Sequence, residues 1–228
     1  MVFNQQAFKI RALTSIVFVV IMLIGLLWSQ WSFIILFTII HFGCWYEFVK
    51  LIKKTNPEKF AYYLPFAFIF ITMPVLMMIH LSYISSSYHI SLHNFFPVIP
   101  CTIIFSIWIN DTMAYIVGSF IGKTQLSIIS PKKTWEGTLG GAILCIVIMA
   151  AFGLWNKSYS TADRIIIPAI CAAFGTLGDL LESKLKRMAH VKDSGSIMPG
   201  HGGFLDRFDS LLIATPFVWL YVYFFMQQ

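Results

Sequence analysis

Long apolar runs recur along almost the whole chain, and they restrict it to one class of fold. A helix that crosses the hydrocarbon core of a bilayer needs roughly 20 predominantly apolar residues. Seven segments approach or reach that length: about Ala12 to Trp28, Trp31 to Val49, Ala61 to Leu81, Phe96 to Ile121, Thr138 to Trp155, Ile165 to Leu181 and Ser210 to Met226. These runs predict an all-α, polytopic integral membrane bundle of about seven transmembrane helices.

Composition supports the membrane assignment and argues against other classes. Hydrophobic residues make up 58% of the chain and charged residues only 11%, which is unlike a soluble protein. The net charge of +6 is not arranged as a continuous basic stripe with interleaved aromatic residues, so we expect no nucleic-acid partner. The four cysteines fall one per apolar segment without C-x-x-C spacing, which indicates neither a disulfide framework nor a zinc site.

The distribution of lysine and arginine predicts the orientation of the spans. If the seven segments alternate across the bilayer, 14 of these residues lie on one side and only Lys157 and Arg164 on the other. Positive residues concentrate in cytoplasmic loops, so we expect a cytoplasmic N-terminus. The charged segment Ser183 to Asp209 then faces the cytoplasm, where nucleotides are, and a bacterial inner membrane is the expected location.

The same span count gives a predicted organisation of the chain. We expect residues 1–228 to form a single transmembrane domain. Residues 1–95 would supply the first three spans. Residues 96–228 would supply the catalytic spans four to seven, with cytoplasmic loops at 122–137 and 182–209.

The segment Ser183 to Asp209 concentrates eight formal charges in an otherwise apolar chain. Carboxylates suit a hard divalent cation such as Mg²⁺, which takes oxygen ligands and usually shares them with substrate phosphates. Lysine and arginine suit the phosphates themselves, and glycines let backbone N–H groups approach an anion. The mixture predicts a metal-and-polyphosphate site, with a merely solvated charged loop as the alternative.

The spacing within this segment resembles that of a known enzyme family. The positions are Ser183-x-x-Lys186-Arg187, Lys192-Asp193 and Pro199-x-His201-Gly202-Gly203-x-x-Asp206-Arg207-x-Asp209. They resemble the signature of the phosphatidate cytidylyltransferases, or CDP-diacylglycerol synthases. One departure is Met198, where the family has Leu, Ile or Phe. The stretches that begin at Asn110-Asp111-Thr112 and at Ser130-Pro131-Lys132-Lys133 also resemble this family.

The resemblance implies a reaction, a cofactor and partners. The phosphate of phosphatidate, a membrane lipid, would attack the α-phosphorus of CTP, giving CDP-diacylglycerol and pyrophosphate. A divalent metal, Mg²⁺, would be required, and a homodimer is implied. One alternative is a CTP-dependent lipid kinase of the polyprenol or phytol type. Another is an ion-coupled transporter that uses Asp111 and Asp179.

Roles for individual residues follow from what this reaction demands. A phosphate monoester is already an anionic nucleophile, so the reaction needs charge neutralisation and in-line positioning rather than a base. We assign Mg²⁺ to Asp179 and Asp206, with Asp209 and Asp193 as further ligands, including at a second ion. The groups expected to hold phosphates are the side chains of Lys186, Arg187, Lys192, Arg207 and Ser183 and the backbone of Gly202 and Gly203. His201 would position a phosphate by a hydrogen bond or act as an acid toward pyrophosphate.

Residues outside this segment are also candidates. Asp111 is an ionisable residue inside a span, which usually lies against protein or a cavity, so we expect it in the site. Lys132 and Lys133 would bind the triphosphate or the lipid phosphate, or would only satisfy the positive-inside bias. The pairs Gly118-x-x-x-Gly122 and Gly137-x-x-x-Gly141 have the spacing that lets membrane helices approach closely. The cluster of Glu47 with the lysines that follow it is interpreted as an anchor at anionic headgroups, with a role in drawing an anionic lipid toward the site as the alternative.

Overall fold

The computed structural model describes residues 5–84, 95–153, 160–197 and 202–226. These ranges contain seven helices: α1 (Gln5–Leu27), α2 (Gln30–Thr55), α3 (Phe60–Leu81), α4 (Val98–Ile121), α5 (Trp135–Gly153), α6 (Thr161–Met188) and α7 (Leu205–Met226). Strand-like pairing within them is limited to one isolated bridge, between Gln125 and Thr134. The all-α prediction is therefore confirmed.

Six of these helices, α2 to α7, are long and apolar enough to cross a membrane. In α1 the apolar part, Ala12–Leu27, is shorter than the others. The predicted polytopic helical bundle is confirmed. The sixth helix continues past its apolar part and ends at Met188, so that it carries charged residues of the signature on its last turns. The fourth helix runs unbroken through Asn110 and Asp111.

The chain divides into two compact units, and each unit combines segments that are distant in sequence. Unit 1 consists of Met1–Thr72 and Leu185–Phe208, and unit 2 of Met73–Lys184 and Asp209–Gln228. The predicted division at residue 95 rests on the span count alone and stays a prediction. The signature segment contributes residues to both units.

In unit 1, α1 and α2 pack together through a short link at Ser29. The Ser29 hydroxyl accepts a hydrogen bond from the Ser32 N–H at 3.1 Å, and the Ser32 hydroxyl accepts one from the Ser29 N–H at 3.0 Å. This reciprocal capping box satisfies two donors at the start of α2. Gly25 lies against Leu36, where a Cβ atom would come within 2.6 Å of the leucine side chain. The absence of a side chain at Gly25 therefore permits the close approach of the two helices.

In unit 2, α4 and α5 approach closely along the glycines that the spacing singled out. A Cβ atom on Gly137 would lie 2.7 Å from the Ala114 carbonyl oxygen and 2.9 Å from the Gly118 Cα. A Cβ atom on Gly141 would lie 2.7 Å from the Ala114 backbone nitrogen. Because the obstacles are backbone atoms, which cannot rotate away, only glycine fits at these positions. The packing role predicted for the small-residue pairs is confirmed.

Candidate active site

The signature residues form two clusters, one in each unit. Lys186 and Asp206 belong to unit 1, whereas Asp179 and Asp209 belong to unit 2. The prediction that Asp179 and Asp206 hold the same cation joins residues of different units, and it stays a prediction.

In unit 1, the Asp206 carboxylate is the centre of a hydrogen-bonded cluster. Its Oδ1 accepts a bond from Lys186 Nζ at 2.6 Å. Its Oδ2 accepts bonds from the backbone N–H groups of Ser194 and Gly203, both at 2.8 Å. The Asp206 side chain is only 7% exposed. Asp206 thus ties the end of α6 to the segment that leads into α7.

The neighbouring glycine has a backbone conformation that side chains rarely adopt. Gly202 has a φ of 83°, in the left-handed region. A Cβ atom there would also lie 2.5 Å from Asp206 Oδ2. Both observations explain why glycine precedes Gly203 in the signature. The Gly203 N–H donates to Asp206 here, and its predicted contact with a substrate phosphate stays a prediction.

Glu47 of α2 belongs to the same hydrogen-bonded cluster, a position that sequence reasoning did not predict. Its carboxylate accepts bonds from Ser194 Oγ at 2.6 Å and from the backbone N–H groups of Phe204 and Leu205, both at 2.9 Å. The residue is 1% exposed. A signal was present in the sequence, because an ionisable residue inside an apolar helix is by default a functional candidate. Its proximity to three lysines favoured the interpretation as a headgroup anchor instead.

The other predicted residues of unit 1 are exposed cations and one carboxylate. Arg187, Lys192, Asp193 and Arg207 all have exposed side chains. The Arg187 guanidinium donates to the Val191 carbonyl at 3.5 Å. His201 lies outside the described residues. The exposed positions are compatible with binding a solute, and their roles stay predictions.

In unit 2, Lys133 and Asp179 form an ion pair between the segment before α5 and the C-terminal part of α6. The Ser183 hydroxyl donates to the other oxygen of Asp179 at 3.2 Å. About a third of each charged side chain is exposed, 28% for Lys133 and 31% for Asp179. Lys132, by contrast, is exposed. The structure thus distinguishes Lys133, which is paired with a carboxylate, from Lys132, which is exposed. The sequence alone left the two lysines equivalent.

Glu136 positions the segment that carries Lys133. Its carboxylate accepts bonds from the backbone N–H groups of Lys123, at 3.1 Å, and Thr124, at 3.1 and 3.2 Å. Backbone bonds from Leu126 N to Lys133 O and from Trp135 N to Thr124 O close the same loop, at 2.8 and 2.9 Å. The loop between α4 and α5 is therefore an ordered support for the lysine.

Asp209 concentrates negative charge in unit 2. It is 8% exposed, and its electrostatic neighbours are Asp179, Asp111 and Lys133. One oxygen accepts a bond from the Ser210 N–H at 2.6 Å. Three carboxylates and the ammonium group of Lys133 therefore interact electrostatically in this part of unit 2. Because buried charge is costly without compensation, this arrangement favours a further cation.

The oxygen donors of unit 2 fit Mg²⁺. Asn110 Oδ1 is buried and has no hydrogen-bond donor within the described part of the chain, and the amide nitrogen of the same residue lies 3.4 Å from Asp111 Oδ1. Nowhere in the described ranges do three or more acidic, histidine or cysteine side chains converge as a ready-made metal cage. Mg²⁺ does not require one, since it commonly takes one or two carboxylates and completes its shell with water and substrate phosphates. A cation at Asp209 and Asp179 is consistent with this geometry.

Comparison with known proteins identifies the family. Residues 66–225 match the model of the cytidylyltransferase family. The chain belongs to the cytidylyltransferase family. The phosphatidate cytidylyltransferase of Rickettsia typhi is 33% identical over 221 residues, which cover 93% of this chain and 91% of that protein. The resemblance found in the signature is thereby confirmed.

Two other relatives match over about half of this chain. The phosphatidate cytidylyltransferase of Bacillus subtilis is 47% identical over 115 residues, 50% of this chain and 43% of that protein. That of Synechocystis is 45% identical over 119 residues, 51% of this chain and 40% of that protein. The chain spans less than half the length of these two relatives. All three relatives are bacterial, and this cytidylyltransferase-family chain, with its six long apolar helices, is an integral membrane protein.

The extent of the family match separates the site residues into two groups. The matched region, residues 66–225, includes Lys133, Asp179, Asp206 and Asp209. Glu47 lies outside it, in α2. The residue that organises the unit 1 cluster is therefore supplied by a part of the chain that the family model does not describe.

Proposed function

We propose that this protein transfers the cytidylyl group of CTP to phosphatidate, giving CDP-diacylglycerol and pyrophosphate. The observation that carries the proposal is the buried Asp209, which interacts electrostatically with Asp179, Asp111 and Lys133 within a cytidylyltransferase-family chain. With a bound divalent cation, such a cluster suits a reaction in which two anionic substrates must be brought together. The similarity to the Rickettsia typhi protein over 93% of the chain supports the same substrates.

The chemistry requires no side-chain base. An oxygen of the phosphatidate phosphate forms a bond to the α-phosphorus of CTP, and the bond from that phosphorus to the β-phosphate oxygen breaks. Pyrophosphate leaves with the electron pair. Since the attacking phosphate is already anionic, the protein has to lower the repulsion between the substrates and align them.

Residues of the chain supply most of this charge neutralisation. Lys133 in unit 2 is held in place through the loop that Glu136 supports, and it can pass from Asp179 to a phosphate oxygen. In unit 1, Lys186 is fixed by Asp206, while the exposed Arg187, Lys192 and Arg207 can reach a solute. These cations are proposed to hold the triphosphate and the lipid phosphate.

Mg²⁺ is proposed as the cofactor. Asp179 and Asp209 would hold it, with Asp111 nearby. When bound, it would polarise a phosphoryl oxygen and neutralise developing charge. The prediction that Asp206 binds the same ion stays a prediction, as does the prediction that Asp193 binds a second ion.

The orientation of the site is part of the proposal. The charge bias of the loops supports a cytoplasmic location for the signature segment. CTP and Mg²⁺ are then available from the cytoplasm, and the lipid substrate from the membrane.

The test uses the purified protein in detergent, supplied with Mg²⁺, phosphatidate and CTP radiolabelled at the α-phosphorus. Label should enter the lipid and unlabelled pyrophosphate should be released, and Asp179→Asn should remove this activity. Label found only in free CDP would instead indicate a lipid kinase and would overturn the proposal. Absence of any CTP turnover would also overturn it. An ion-coupled transporter would then be the remaining alternative, because a transporter has no gradient to use in detergent and would be inactive there.

A further inference from the structure

We propose that Glu47 is a positioning residue for the nucleotide-binding part of the site. Its carboxylate holds the two described ends of the segment 194–205 in the positions that present the neighbouring cations to the triphosphate of CTP. The inference rests on the proposed function for the identity of the ligand. It assigns a role to a residue outside the region that the family model matches.

Three hydrogen bonds fix this segment at both of its ends. Ser194, near its beginning, donates its hydroxyl to Glu47 Oε2 at 2.6 Å. Phe204 and Leu205, at its end, donate their N–H groups to Oε1 and Oε2, each at 2.9 Å. The partners are 147 to 158 positions away from Glu47 in the chain. One carboxylate therefore holds Ser194 close to the start of α7.

The glycines next to this carboxylate leave the space that it occupies. A Cβ atom added to Gly195 or to Gly203 would collide with Glu47 Oε1. One turn earlier on the same face of α2, a Cβ atom on Gly43 would collide with the ring of Phe204. The absence of side chains at three glycines thus permits the contact between α2 and the two ends of the segment.

The burial of Glu47 requires these donors. A carboxylate in an apolar environment is strongly unfavourable unless hydrogen bonds and favourable charge compensate it. The N–H groups of Phe204 and Leu205 lie at the start of α7, where the helix dipole also favours negative charge. With Glu47 in this place, those donors are occupied by the protein itself. These two donors are therefore not available to the phosphates of a substrate, which the exposed cations near Ser194 and the start of α7 would hold.

Ser194 links Glu47 to Asp206. Ser194 Oγ lies 2.8 Å from Asp206 Oδ2 as well as 2.6 Å from Glu47, and its single proton can be donated to either carboxylate. Asp206 in turn holds Lys186 at 2.6 Å. A change at Glu47 is therefore transmitted to a lysine that is proposed to bind phosphate.

The test compares Glu47→Gln with Glu58→Gln, which makes the same chemical change at an exposed position of unit 1. A glutamine offers one acceptor oxygen and turns an NH₂ group toward the remaining donors. Equilibrium dialysis of the purified full-length proteins with radiolabelled CTP measures the Kd without any transfer reaction. Glu47→Gln should weaken CTP binding at least about tenfold, as loss of an orienting partner typically does. Glu58→Gln should bind as the wild type does.

Kinetics provide the readout that a merely structural role would not move. Glu47→Gln should raise the KM for CTP and leave the KM for phosphatidate close to the wild-type value. A structural role would lower only the amount of active enzyme and leave both KM values unchanged. Ser194→Ala, a milder change, should shift the KM for CTP in the same direction and keeps the test valid if Glu47→Gln fails to fold.

Two different failures can be told apart. If the wild type transfers the label but the variants bind CTP as tightly as it does, only the role of Glu47 is overturned. If the wild type binds no CTP, the proposed function fails and the role of Glu47 fails with it.

Discussion

Individual carboxylates in this protein differ in how completely they are satisfied. Asp163 in unit 2 is buried, and it accepts bonds from the hydroxyls of Tyr221 and Ser160, each at 2.6 Å. Asp209 is equally buried, yet its electrostatic neighbours include two further acids. Satisfied buried charges support structure, whereas crowded like charges mark functional sites. The two residues therefore predict opposite effects of the same substitution.

Asp209→Asn should lower cytidylyl transfer about a hundredfold, because a proposed Mg²⁺ ligand and its charge are lost. In Mg²⁺-free detergent the same variant should melt about 2 to 4 °C higher, the shift expected for relief of about 1 kcal/mol of repulsion in a chain of this size. The measurements are the labelled-CTP assay and a thermal unfolding scan. Asp163→Asn is the control and should melt lower, since it loses well-formed acceptor contacts. A lower melting temperature for Asp209→Asn would argue against the crowding of charge.

At the scale of elements, the contact of α4 with α5 depends on the absence of side chains at its glycines. Gly137 and Gly141 lie directly against the backbone at Ala114 and Gly118. A Cβ atom added to Gly175 of α6, by contrast, would lie at an ordinary contact distance of 3.4 Å from its nearest neighbour, Ser210 Cβ. The α4–α5 pair also carries the loop that presents Lys133. A change in helix separation would thus displace a proposed phosphate ligand.

Gly137→Ala should destabilise the protein by about 1 to 3 kcal/mol, because the added methyl group meets backbone atoms that cannot rotate away. Gly175→Ala is the matched control and should be close to neutral, since an alanine fits there and favours the helix. Thermal unfolding in detergent compares the two variants. Equal destabilisation by both substitutions would mean that backbone contact is not the deciding factor.

At the scale of the whole molecule, the 27 consecutive residues of the signature are divided between the two units. Its middle part, Leu185–Phe208, belongs to unit 1 with α1 and α2, while its two ends belong to unit 2. The N-terminal helices are therefore a structural part of the unit that carries the Asp206 cluster rather than a separate anchor. Orientation in the membrane is a second property at this scale, and it rests on loop charge.

Single cysteines test this orientation. Gln125 precedes α5 and Thr161 follows it, so a helix that spans the bilayer puts them on opposite sides. In intact cells, a membrane-impermeant thiol reagent should label Thr161→Cys, and it should label Gln125→Cys only after permeabilisation. The four native cysteines are buried, which keeps the background low. Labelling in the reverse order would invert the proposed topology.

The sequence by itself determined the fold class and the chemical character of the site. Apolar runs of membrane-spanning length permit little other than a helical bundle, and the spacing of charges in Ser183 to Asp209 is specific enough to identify the family. Glycine spacing also predicted the close contact of α4 and α5. These inferences succeed because they depend on local periodicity and on residue type.

Only the tertiary structure decided which side chains act together. It separated Lys133, paired with Asp179, from the exposed Lys132, and it placed Glu47 against Ser194, 147 positions further along the chain. Contacts of this kind depend on how helices pack, and the period of a single helix does not encode them. In the sequence, Glu47 is an isolated charge in an apolar helix. The structure shows that the N–H groups at the start of α7 donate hydrogen bonds to it.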